Sequence, residues 1–157
     1  MKKQKIYLDT SIISYLFADD TPEKKADTEK LWEILKIEKY EIFLSERVLS
    51  ELVNCSEPKK NLMIKRLGEI SYETLVMSSE VEMLTKAYLK NNVLSAKSTS
   101  DCEHIAFAVV AGCGIIVSWN FKHLVNLKTI NGVRFVNSVN NYAEIAIVSP
   151  SMILEEV

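Results

Sequence analysis

Paired cysteines are missing from this sequence. Cys55, Cys102 and Cys113 are odd in number and widely separated, without the spacing of a disulfide framework or a cysteine zinc site. Two of them sit in or beside apolar helical sequence, where a small buried side chain is expected. Histidine is as scarce: His104 and His123 alone are too few for a zinc site built on imidazoles. No apolar run approaches the ~18–20 residues that span a bilayer. The opening "MKKQKIYLDTSII" is basic, but an Asp breaks its apolar run and no small-residue cleavage site follows, so a cytoplasmic location is expected. Charge of one sign is lacking too: 19 basic against 21 acidic residues give a net charge of −2, and no global basic footprint marks a nucleic-acid binder. A site built on metal ions needs acids, and those lower the formal balance. No repeat, low-complexity tract or linker interrupts the chain, so its 157 residues are read as a single domain over 1–157.

What is present is an alternation of short β-prone runs and amphipathic helical segments. "KIYLDTS" reads as a strand running into a helix start, and "TPEKKADTEKLWEILKIEKY" as a helix with Pro at its first turn. "EIFLS" is a second strand. "ERVLSELVNC" is a helix whose stripe is Val48, Leu49, Leu52 and Val53. "EPKKNLMIKRLGEI" is helical with Pro58 at its entry, "ETLVMS" is a strand, and "SEVEMLTKAYLKNN" is a helix. "DCEHIAFAVVAGCG" is apolar on almost every side and is read as a buried helix. "GIIVSWN", "GVRFVN" and "EIAIVS" are read as strand-like. The pattern predicts an α/β fold with a central, mostly parallel β-sheet flanked by α-helices.

Ligands of such sheets bind outside the carboxyl ends of the strands. Four polar residues fall there: Asp9 after "KIYL", Glu51 in the helix after the second strand, Asp101 opening the apolar helix, and Asn120 after "GIIVS". Structural roles compete for some of them. Asp9 also suits a helix cap. Ser100 with Glu103 matches a capping box, which accounts for Glu103 and leaves Asp101 without a capping role. His104 shares a helix face with Asp101 and is expected to support it or a nearby loop. Three acids and an amide at one rim would repel one another without compensation. Hard divalent cations, magnesium or manganese, remove that cost and favour metal-assisted hydrolysis at phosphorus.

Four stretches, "YLDTSIISYLF", "LSERVLSELV", "SDCEHIAFAVVAGCGIIVSWNFKHL" and "EIAIVSP", together resemble PIN-domain proteins, in particular VapC-type toxin ribonucleases. The resemblance implies a PIN-like α/β domain that cuts RNA with Mg2+ or Mn2+. It implies Asp9, Glu51 and Asp101 as metal ligands, with Thr10 and Ser11 beside the first acid holding a water or a phosphate. Asn120 falls where many relatives carry a fourth Asp; it offers a carbonyl oxygen without negative charge. Trp119 is expected to pack beneath the site. Arg47, Lys97 and Lys122 are candidates for RNA contact, and His123 for a structural or phosphate-contacting role. A homodimer and a cognate antitoxin are further implications of the resemblance. The competing readings are a PIN-like domain that binds RNA or protein without cleaving, and a flavodoxin-like domain with a lone acidic pocket.

Overall fold

The computed structural model describes residues 2–155. The elements follow in the order β1 (Gln4–Leu8), α1 (Thr10–Ser14), a 3-10 turn (Tyr15–Phe17), α2 (Pro22–Lys36), β2 (Tyr40–Ser45), α3 (Glu46–Val53), α4 (Lys59–Leu67), β3 (Tyr72–Leu75) and α5 (Ser79–Lys90). A second 3-10 turn (Ala96–Ser98) then leads to α6 (Thr99–Val110), β4 (Ile115–Val117), α7 (Leu127–Val139), β5 (Ala146–Val148) and α8 (Pro150–Glu155). Every strand pair is parallel, and the sheet order is β3-β2-β1-β4-β5. The α/β architecture with a parallel central sheet is thus as the sequence predicts. Central strand β1 buries Ile6, Tyr7 and Leu8 completely, the near-continuous apolar run expected of a strand covered on both faces.

The strand order reverses between β1 and β4: β2 and β3 continue to one side of β1, β4 and β5 to the other. This is the topological switch point, where diverging connections leave a crevice at the carboxyl ends. Helix α6 supplies much of the cover, burying Cys102, His104, Ile105, Ala106, Phe107, Ala108 and Val109. Burial pushes the Cys102 and Cys113 thiols up to about 12, so neither offers a thiolate nucleophile at neutral pH. Among the described residues no helix is long and apolar enough to cross a membrane.

Three local expectations need correction. "GVRFVN" is not a strand; it lies inside α7, where Val133 and Val136 are buried at helical spacing and Phe135 is exposed. Asn126 caps that helix by accepting a hydrogen bond from the Thr129 amide (2.9 Å). The stripe on α3 ends at Leu52, because Val53 is 59% exposed. The capping box at Ser100 and Glu103 does not form. Helix α6 already begins at Thr99, and the Glu103 carboxylate accepts from Arg47 of α3 instead (Nε 3.0 Å, Nη2 2.8 Å).

Candidate active site at the sheet switch point

Asp9 is the residue directly after β1 and caps α1 from extended backbone. Its Oδ1 accepts from the Ser11 amide (3.1 Å) and the Ser11 hydroxyl (2.5 Å), and its Oδ2 accepts from the Ser118 hydroxyl (2.5 Å). Both readings of Asp9, cap and site acid, therefore describe the same side chain. It is only 4% exposed, and neutral hydroxyl and amide groups are its hydrogen-bond donors. Burial pushes its carboxyl above the usual range, although nearby His104 and the Ser11 and Ser118 hydroxyls oppose that shift. The same two serines hold the β4 exit loop. Ser11 Oγ accepts from the Trp119 amide (2.9 Å), and Ser118 Oγ accepts from the Asn120 amide (2.9 Å).

The segment after β4 is folded by its own polar groups. Asn120 Oδ1 accepts from the His123 amide (2.9 Å), and Asn120 Nδ2 points to Asp101 Oδ1 at 3.5 Å. His123 Nδ1 meets Asp101 Oδ2 at 2.9 Å, while Thr129 Oγ1 donates to the His123 carbonyl (2.7 Å). Asp101, in the first turn of α6, is thus held from one side by Asn120 and His123. Trp119 packs into the core next to this segment. It is 5% exposed, and its Nε1 donates to Thr28 Oγ1 of α2 (2.8 Å).

Glu51 projects from α3, and its Oε1 lies 2.8 Å from His104 Nε2. His104 therefore supports Glu51, and not Asp101 as its helical spacing implied. Behind it the line continues: His104 Nδ1 to Tyr7 Oη (2.7 Å), and Tyr7 Oη to Ser45 Oγ (2.7 Å), which also accepts from the Val48 amide (3.4 Å). Burial raises the Glu51 carboxyl, but the His104 hydrogen bond and charge and the Arg47 charge outweigh it, so the group sits below the usual range. Ionised Glu51 accepts from His104 Nε2–H. The Tyr7 hydroxyl thus links His104 to Ser45, and the line ends at the Glu51 carboxylate. Sequence inspection missed Tyr7 and Ser45. The available signal was a tyrosine inside an aliphatic strand, whose buried hydroxyl must find a partner.

The donor set at this rim is oxygen-rich, which suits magnesium or manganese. Thr10 Oγ1, next to Asp9, is the one buried side-chain polar atom with no partner at full hydrogen-bond geometry among the described residues, and it faces Glu51, whose carboxyl it helps to hold low. The acids do not form a closed cage, however. Among the described residues no three His, Cys, Asp or Glu side chains stand close enough together to share an ion, and each acid is held by its own partner. Of the proposed RNA contacts, Lys97 and Lys122 are exposed, whereas Arg47 is engaged by Glu103.

No curated protein sequence matches the chain. Among solved structures it is similar to VapBC2 from Rickettsia felis, crystallised with a DNA fragment from its promoter. The identity is 16%, the TM-score 0.60, and the match covers 93% of this chain and 98% of that one. At this identity the likeness speaks for the fold. The PIN domain matches residues 6–122, a span that contains Asp9, Glu51, Asp101 and Asn120 together with the strands and helices that carry them. The chain belongs to the PIN domain family.

Proposed function

We propose that this PIN domain is a magnesium- or manganese-dependent endoribonuclease, a single domain over 1–157, acting as the toxin of a toxin–antitoxin pair. The observation that carries the reading is Asp9: a buried carboxylate at the switch point, pushed up by burial, bonded to neutral donors and flanked by the Thr10 hydroxyl. Asp9, Glu51 and Asp101 would hold the metal, with side-chain movement to bring their separately held carboxylates together. A divalent cation bound there would supply positive charge to favour hydroxide over water and to stabilise charge developing on phosphoryl oxygens.

The chain's own residues do the rest. Ser11 and Ser118 fix both oxygens of Asp9. His123 and Asn120 fix Asp101 and close the β4 exit loop around it. His104 fixes Glu51. Asn120 Oδ1 already accepts a backbone hydrogen bond, so this residue shapes the loop and its charge-neutral side chain adds little to cation affinity. Thr10 Oγ1, which faces Glu51 without a full hydrogen bond, donates to a water or a non-bridging oxygen. Exposed Lys97 and Lys122 contact RNA phosphates. A cognate antitoxin covering the cleft, which the likeness to VapBC2 supports, completes the proposal together with a homodimer and a cytoplasmic location.

A second reading, a PIN domain that binds RNA or protein without cleaving it, is favoured by the absence of three preassembled ligands among the described residues and by Asn120. Calorimetric titration with manganese, on wild type beside Asp9→Asn and Asp101→Asn, separates the two. Binding by the wild type, lost in both folded variants, supports the metal site, and manganese-dependent cleavage of total RNA supports the nuclease. No binding at millimolar manganese refutes the nuclease mechanism.

A further inference from the structure

Beside the acidic rim the chain assembles three aromatic rings around one lysine. Trp119 is stacked against Tyr15 (centroids 5.7 Å apart, planes at 25°) and meets Phe121 edge to face (6.1 Å, 69°). Lys24 Nζ of α2 lies 5.1 Å from the Phe121 centroid, 5.7 Å from Trp119 and 5.9 Å from Tyr15. The members are not equivalent. Trp119 is buried and anchored through Nε1 to Thr28, so it serves as the base of the cluster. Phe121 is 44% exposed. Its place is fixed by the turn that orients Asn120: Phe121 donates its amide to the Trp119 carbonyl (3.0 Å), and its carbonyl accepts from Asn126 Nδ2 (3.0 Å). The backbone that carries this large ring is thus fixed at the surface, one residue from the amide that touches Asp101.

An exposed ring beside a positive charge is the arrangement that accepts a nucleotide, with the base on the aromatic face and the phosphate at the cation. We propose that Phe121 is a stacking platform for an unpaired base of single-stranded RNA flanking the scissile position, and that Lys24 contacts that nucleotide's phosphate. This deepens the ribonuclease reading and rests on it. Lys24, whose ammonium rests on rings, already lies where the charge is needed. The platform requires a splayed-out base, so the preferred target is a loop or an end, not a duplex.

The test uses the full chain carrying Asp101→Asn to suppress cleavage, titrated with labelled oligoadenylate and oligouridylate and read by fluorescence anisotropy. Adding Phe121→Ala weakens oligoadenylate binding roughly 5- to 100-fold, the size of one lost base–aromatic stack. The loss is smaller for oligouridylate, because a pyrimidine stacks less. Phe121→Trp restores affinity, which a merely apolar role for the position would not require. Lys24→Ala lowers the salt dependence of binding by about one counterion. Unfolding curves confirm that each variant is folded. If the parent binds RNA and Phe121→Ala binds equally well, or Phe121→Trp fails to rescue, the platform is refuted while the nuclease reading stands. If Phe121→Ala alters oligomeric state by light scattering and leaves RNA affinity unchanged, the ring belongs to a protein interface and the platform is refuted. If the parent binds neither RNA, both the nuclease reading and the platform fall.

Discussion

Tyr7→Phe tests whether the line from Ser45 to Glu51 is a connected unit. The ring is fully buried and packs at a tilt against His104 (centroids 5.9 Å apart), so phenylalanine keeps the packing and removes one oxygen. Burial holds the Tyr7 hydroxyl well above its ordinary pKa, so the lost group is a protonated donor. Two partners lose their bond: His104 Nδ1 is left without a partner, and Ser45 keeps only its long contact to the Val48 amide. A buried polar group stripped of its partner costs about 1–3 kcal/mol. His104 bears most of this, and the expected total is about 2–3 kcal/mol. At roughly 2–4 °C per kcal/mol for a chain of this size, the melting temperature falls by about 4–12 °C. Urea unfolding at unchanged m-value is the measurement. A double-mutant cycle with Ser45→Ala sharpens it, because a connected line gives a coupling of at least ~0.5 kcal/mol. Strict additivity of the two substitutions, or a loss from Tyr7→Phe below ~0.5 kcal/mol, refutes the connected line.

Three further outcomes are expected. Asp9 has a folded-state pKa above its unfolded one, so its contribution to stability is full below the unfolded value and is lost as pH rises through the folded value. Asp9→Asn therefore stabilises the protein in chelator at neutral pH, and the gain disappears in urea titrations below the ordinary carboxylate range. His123→Ala frees one oxygen of Asp101 and weakens manganese binding about 10-fold or more by calorimetry, with little change in melting temperature. Trp119→Phe keeps a ring over Tyr15 and removes the Nε1–H that bonds Thr28, costing about 1 kcal/mol in urea unfolding.

What could be read from the sequence, and what could not, divides by distance along the chain. Strand β1 and the Asp that ends it are legible because hydrophobic run and cap are adjacent. The same holds for β4 and the polar cluster behind it. The helical start of Pro22 and the burial of "IAFAVV" follow equally from local pattern. "GVRFVN" fails for a local reason as well: Val133 and Phe135 alternate as in a strand, while Val133 and Val136 fit a helix. Six residues do not choose between the periods, whereas the Asn126 cap upstream does. The remaining errors come from partners far away in sequence. Glu103 looks like half of a capping box until Arg47 arrives from another helix. His104 sits three residues after Asp101 but turns to Glu51, with Tyr7 at its other nitrogen. Helical spacing says which residues share a face; it does not say which element that face meets.

The pairing of β1 with β4 also governs when during synthesis the site can exist. Ile6 is in register with Ile115, and the Asp9 carboxylate takes one of its hydrogen bonds from Ser118. A ribosome that has released the first hundred residues has exposed Asp9 and Glu51 but not the strand that builds the other wall. Closing so long a loop is slow and comes late. Nascent chains that end before β4 therefore lack the Ser118, Asn120 and His123 side of the rim, which becomes complete only when β4 has emerged and docked. If the protein is a toxin, the cell gains an interval between the start of translation and the first harmful molecule, set by chain topology alone.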